Sequence, residues 1–222
     1  MPRTARASIG GHFYHVINRG NARNTVFHCN DDYLNFFHLL GDAYEHLPLD
    51  VLAFCLMPNH FHLVLRPYQD GELSRWMQWL MTSHVRRHHR RYETDGRIWQ
   101  GRFKAFPIQK DDHLITVIRY VERNALRSNL VKRAEDWRWG SLYYRVNGDI
   151  CPFLASMPVA LKDDWTAFVN SAESSGELET LRRSVNRGSP FGRSHWKIRI
   201  AKQLQLESTL RPRGRPRKNL KK

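Results

Sequence analysis

Residues 51–67 read VLAFCLMPNHFHLVLRP, two apolar runs interrupted at Met57-Pro58-Asn59. Proline beside asparagine is turn chemistry, and the flanks are rich in Val, Leu and Phe. The stretch therefore predicts a β-hairpin, with one strand from Leu49 to Leu56 and an antiparallel return from His60 to Arg66. Side chains alternate faces along a strand, so His60 and His62 share one face and Phe61 takes the other. Two imidazoles presented this way can hold a divalent cation, although a half-exposed strand face also carries such pairs.

Upstream, HFYHVINRGN predicts a first strand over residues 12–18, followed by a donor-rich turn at Arg19-Gly20-Asn21. In DDYLNFFHLLGDAYEHL, residues Leu34, Phe37, Leu40 and Tyr44 recur at helical spacing behind two acidic residues suited to a helix N-terminus. Downstream, Glu72 to Tyr92 predicts a second helix with Leu73, Trp76, Met77, Leu80 and Val85 on one side. Its C-terminal end carries Arg86, Arg87, Arg90 and Arg91, and His84 and His88 among these arginines suggest a phosphate-binding face. GRIWQGRFKAFPIQ holds part of a fourth strand, and DDHLITVIRYVERNALRSNLV is a further helix capped by Asp111 or Asp112. The order β-α-β-β-α-β-α contains the split βαβ of a ferredoxin-like α+β fold, an antiparallel sheet with helices on one face.

After Val131 the pattern weakens. AEDWRWGSLYYRVNG packs two tryptophans and runs into a short helix, and three more short helical stretches follow. The organisation expected is a catalytic domain over residues 1–145, a helical extension over 146–207 and a basic tail over 208–222. Residues 211–222 hold seven basic side chains and no acid.

Lys and Arg exceed Asp and Glu by 36 to 21, a net charge of +15, which points to a polyanionic partner, nucleic acid first. The three cysteines are scattered without a Cys-x-x-Cys spacing, which excludes a zinc finger and a disulfide framework. No apolar run is long enough to span a bilayer, and residues 1–13 lack a signal peptide's apolar segment, so a cytoplasmic, nucleoid-associated protein is expected.

On the helix after Asp112, Leu114, Val117, Ile118, Val121 and Ala125 form the core stripe. Tyr120 and Asn124, at i and i+4, sit together at its border, where a side chain can face a cleft. With the histidine pair they read as a nucleophile and a third metal ligand. Two neutral imidazoles and one amide oxygen suit Mg2+ or Mn2+, and the donor set leaves the choice open. A free phenol keeps its proton to about pH 10, so attack on a phosphodiester requires its loss, assisted by cations nearby. Arg97, Arg102 and Lys104 around Trp99 and Phe103 mix charge with flat apolar surface, as a single strand requires, although packing explains both aromatics equally. Arg19, Asn21 and Arg87 are further candidate DNA contacts.

Through VINRGN, MPNHFHLVLRP, WQGRFKAF and RYVERNALRSNLV, in this order over residues 9–145, the chain resembles the single-tyrosine transposases of the HUH nuclease class, in particular the REP-associated tyrosine transposases of bacteria. The resemblance implies Tyr120 as nucleophile and His60, His62 and Asn124 as metal ligands. It implies cleavage of single-stranded DNA near hairpin-forming repetitive palindromes, through a 5′-phosphotyrosine and a free 3′-hydroxyl, by a protein that acts as a monomer. Where that family often has Pro after the asparagine and Gly in the next turn, this chain has Ala125 and Ser128-Asn129. Arg213-Gly214-Arg215-Pro216-Arg217 is similar to an AT-hook, which would place Arg213, Arg215 and Arg217 in an A·T minor groove; a generic basic tail is the plainer reading. A hairpin-binding module without cleavage and a rolling-circle initiator or relaxase are the competing functions.

Overall fold

Both apolar runs of residues 51–67 are strands, and Pro58-Asn59 is the turn between them. The computed structural model describes residues 8–211. Strand β1 (Phe13–Arg19) leads into helix α1 (Asn30–His46), then β2 (Asp50–Met57), β3 (His60–Arg66), α2 (Glu72–Tyr92) and β4 (Lys104–Ile108). The sheet is antiparallel throughout, in the order β2-β3-β1-β4, which is the split βαβ arrangement. Helices α3 (Asp112–Glu122), α4 (Asn124–Arg127) and α5 (Ser141–Asn147) follow, then α6 (Trp165–Asn170), α7 (Ser175–Arg187), α8 (Ser194–Gln203) and α9 (Glu207–Leu210).

Alternation along the strands builds two cores. Tyr14, Val16, Phe54, Leu56, Phe61 and Leu63 pack under α1 and α2 against Phe36, Leu39, Trp76 and Leu80. Ala53, Cys55, Val64 and Phe106 face the other way, against Leu114, Val117, Ile118 and Val121 of α3. The ferredoxin-like pair α1 and α2 thus lies on one face as expected. The opposite face is covered too, because the alternate strand positions there are apolar and need a partner of their own. Each fully buried aliphatic of the α3 stripe contributes about 1.5–3 kcal/mol of burial, enough to fix the helix directly over the histidine face.

The expected cap of this helix is Asp111, whose carboxylate accepts from the His113 N–H at 2.9 Å. The single helix expected over 112–131 is divided at Arg123, where φ −79 and ψ −6 keep the right-handed phase. At that turn the Arg127 guanidinium also donates to Tyr120 O, at 3.4 and 3.5 Å. The run ends at Asn129 in the left-handed region, φ 56, with Leu130 N–H returning to Ala125 O at 3.0 Å. Asparagine tolerates that conformation, so Asn129 closes the turn where the resembled family often uses glycine.

The chain after α4 seals both sheet edges. Leu56 N–H donates to Trp139 O at 2.9 Å, Trp137 Nε1 to Leu56 O at 2.9 Å and Phe54 N–H to Ser141 Oγ at 3.1 Å, along β2. At the far edge Phe191 N–H donates to Pro107 O and Gln109 N–H to Phe191 O, both at 2.9 Å, along β4. Unpaired edge groups are thereby satisfied and closed to intermolecular pairing. Trp165, Val169, Leu181 and Phe191 join the α3 core.

Candidate functional site

His60 and His62 lie on the sheet face under α3, with ring centroids 5.0 Å apart, while Phe61 is buried on the other face between Phe36 and Trp99. Tyr120 comes down from α3 with its ring edge-on to His62, 5.7 Å between centroids. Asn124 opens α4 one helical turn later and is 4% exposed, and its Nδ2 has no hydrogen-bond partner among the described residues. The structure therefore brings His60, His62 and Tyr120 together and sets Asn124 on the same helical flank as the tyrosine.

The protonation of His60 can be read from its neighbours. Asn59 Nδ2 donates to Arg23 O at 2.9 Å, which turns Asn59 Oδ1 toward His60 Nδ1 at 2.7 Å. An amide oxygen accepts only, so His60 carries its proton on Nδ1 and leaves Nε2 as a free lone pair. The turn that carries Asn59 is pinned in return: Gly20 N–H donates to Asn59 O at 2.7 Å, and Val26 and Phe27 N–H both donate to Pro58 O. A Cβ at Gly20 would lie 2.3 Å from Asn24 O, so only glycine allows this approach.

Burial keeps the imidazoles neutral. Desolvation, then Arg19 and Arg127, hold His60 down at about 4; desolvation and Arg127 hold His15 at about 3; His62 is well below its ordinary value for the same first cause, with His15, His60 and the two arginines adding to it. His84, 5% exposed, is held at about 3 by desolvation, with His88 next, and accepts from Trp99 Nε1 at 3.2 Å. It is a core residue and not the phosphate-binding face expected from its arginine neighbours. Trp99 and Phe103 are likewise buried in the first core. Unfolded histidine titrates near 6.5, so between that value and 3–4 the unfolded chain binds more protons than the folded one and stability rises with pH. Urea midpoints should fall as pH drops from about 7.5 to about 5, each buried imidazole costing on the order of 1–2 kcal/mol; a flat profile would show that these rings are not neutral in the fold.

The remaining sequence candidates fall in different places. Arg19 ends β1 opposite His60 in the register, and Asn21 begins the next turn with its N–H on Ile98 O at 2.7 Å. Arg19, Gly101, Arg102 and Lys104 line a cleft of about 290 Å³ that also includes Ile17 and Asn186. Arg87 is on α2, across the sheet from Tyr120, and its guanidinium is bound to Asp42 at 2.9 Å. Arg213, Arg215 and Arg217 lie outside the described residues.

Three residues around the histidine and tyrosine cluster have no counterpart among the sequence candidates. His15 places Nε2 2.7 Å from His62 Nδ1, and Arg127 lies over the Tyr120 ring at 4.0 Å. Glu173 holds Arg127 at 2.8 Å. Arg127 is seven residues after Tyr120, two helical turns, a spacing that could have flagged it. Glu173 carries no local signal, since only the folded extension brings it there. Arg119 donates to Ser171 O at 2.8 Å and Arg123 to Val169 O at 2.9 Å and to Asn170 O, so these two arginines bind the end of α6.

Among the described residues no group of three His, Cys, Asp or Glu side chains is placed to hold a metal ion. Two histidines and an amide form a different donor set; the free His60 Nε2 fits it, and the buried Asn124, whose Nδ2 has no partner among the described residues, would contribute its Oδ1. No described helix is long and apolar enough to cross a membrane.

The family described as Transposase IS200 like matches residues 8–124, more than half of the chain and every residue of the β3–α3 site. A protein of Haemophilus influenzae named as a REP-associated tyrosine transposase is 29% identical over 133 residues, covering 54% of this chain and 75% of that protein. The solved structure of a REP-associated tyrosine transposase bound to a REP hairpin superposes with a TM-score of 0.55 at 18% identity, covering 73% of this chain and 96% of that one. The chain belongs to the IS200-like transposase family.

Proposed function

We propose that this protein is an HUH single-tyrosine transposase of the REP-associated kind, a metal-dependent endonuclease that cuts single-stranded DNA beside hairpin-forming repeats and can rejoin the ends. The observation that carries the reading is the placement of the Tyr120 ring against His62, whose own ring is next to His60, on a helix held over the sheet by its own apolar stripe. His60 Nε2, His62 and the Asn124 amide oxygen would hold Mg2+ or Mn2+, which when bound polarises the scissile phosphate and offsets its charge.

Tyr120 Oη attacks phosphorus, the bond to the 3′-oxygen breaks, and the strand leaves with a free 3′-hydroxyl after protonation, while the phenol proton passes to solvent. The 5′-phosphotyrosine conserves the phosphodiester's energy, so a DNA 3′-hydroxyl can later displace Tyr120 and reseal a strand without ATP. Arg127 over the ring and Arg19 at the strand end supply positive charge to the approaching backbone. Hairpin DNA as partner is supported by the +15 charge and by the fold shared with a hairpin-bound transposase. A monomer in the bacterial cytoplasm, associated with the nucleoid, is the setting that follows.

Short hairpin oligonucleotides with a single-stranded flank, incubated with the protein and Mn2+ or Mg2+, should yield a protein-DNA adduct that survives denaturation. Peptide mapping should place the phosphate on Tyr120. Cleavage with no adduct, or an adduct on another residue, would sink the mechanism.

A further inference from the structure

Resting on that metal reading, we infer that His15 is a positioning residue: it accepts the proton of His62 Nδ1 and so keeps His62 Nε2 bare for a cation. His15 is on β1, fully buried, its ring stacked on His62 at 5.0 Å and 22° and braced edge-on by Phe106 at 4.9 Å. One proton lies in the 2.7 Å contact between the two nitrogens. If His62 donates it, His62 Nε2 is a lone pair. If His15 donates it, His62 Nδ1 is the acceptor, the single N–H of the neutral His62 ring sits on Nε2, and that nitrogen cannot ligate.

When His15 Nε2 accepts, the His15 ring carries its own proton on Nδ1, which has no hydrogen-bond partner among the described residues, so the contact by itself does not set the direction. The direction is decided at His62 Nε2, where a cation demands the lone pair. A metal-bound histidine usually gives its other N–H to a carboxylate or carbonyl. Here both histidines are backed by neutral acceptors, Asn59 Oδ1 for His60 and His15 Nε2 for His62. A carboxylate in the His15 position would be a charge without water. The neutral backing leaves the full cationic charge facing a phosphodiester.

The test compares His15→Leu, which removes the acceptor, with His15→Gln, which restores an acceptor oxygen in place of Nε2. Mn2+ affinity, read by electron paramagnetic resonance without DNA, should fall about 10–100-fold in His15→Leu and recover largely in His15→Gln. Nitrogen-15 imidazole spectra of the Mg2+-loaded wild type should show His62 protonated on Nδ1, and His15→Leu should shift it toward Nε2. Equal affinity losses in both variants would mean that His15 only fills space and would overturn the proposal, as would an Nε2-protonated His62 in the loaded wild type. Wild type that binds neither ion overturns the metal reading itself, and the His62 tautomer in wild type against His15→Leu then decides the positioning role separately.

Discussion

Tyr120→Phe should abolish the denaturation-resistant adduct and lower strand cleavage by on the order of 10⁴-fold or more, the size expected when a covalent nucleophile is removed. The substitution deletes one oxygen and keeps the ring that sits edge-on to His15 and His62 and under Arg127. Stability should therefore change by less than about 1 kcal/mol. Hairpin affinity should stay within about twofold, because the phosphate contacts that dominate binding come from the basic surface. His60→Ala should also lose cleavage and keep affinity, but with one difference: its residual adduct, if any, rises with added Mn2+, whereas that of Tyr120→Phe does not. Residual cleavage in Tyr120→Phe near the wild-type rate would assign the nucleophile elsewhere. Gel assays at one salt concentration separate these cases, since binding is salt-dependent and must be held fixed.

What was legible in the sequence was whatever repeats locally. An apolar run bounded by turn chemistry gave β3 to the residue, His60–Arg66, and helical spacing gave α2, Glu72–Tyr92. Each histidine's face followed from the alternation of a strand, and Tyr120 and Asn124 from the i, i+4 rule. The contacts that complete the site are long-range and have no such period. His15 meets His62 across 47 positions, because antiparallel pairing of β1 with β3 sets Ile17 opposite His62 and leaves His15 on the diagonal. Glu173 meets Arg127 across 46 positions, through an extension whose short helices show weak patterning. His84 misled for the opposite reason: its neighbours in sequence are cations, but a helix shows its sides separately, and the side that carries His84 is the core side, with Leu73, Trp76, Met77 and Leu80.

Glu122→Ala should destabilise the protein by about 3–5 kcal/mol, as removal of one partner of a buried ion pair does. Its side chain is fully buried, two residues after Tyr120, and each oxygen is used. One accepts from Ser141 Oγ at 2.7 Å and Arg145 Nε at 2.9 Å, the other from Trp165 Nε1 at 2.7 Å. Those partners belong to α5 and α6, so one carboxylate on the tyrosine's helix fastens two elements that cover it. Removing it leaves the Arg145 guanidinium, 16% exposed, without its anion, and a stranded indole N–H. Arg145 also donates to Leu52 O, which keeps the side chain from swinging out to water. The double variant Glu122→Ala/Arg145→Ala should then cost less than the sum of the singles by about 1–3 kcal/mol, because removing both charges relieves the unpaired one. Urea midpoints of the three variants measure the coupling. Strict additivity would show that the pair is not energetically joined and that α5 is held by its apolar contacts alone. If the coupling is present, Glu122→Ala should also slow adduct formation at temperatures where the chain is still folded, since the helix that carries Tyr120 loses one of its anchors.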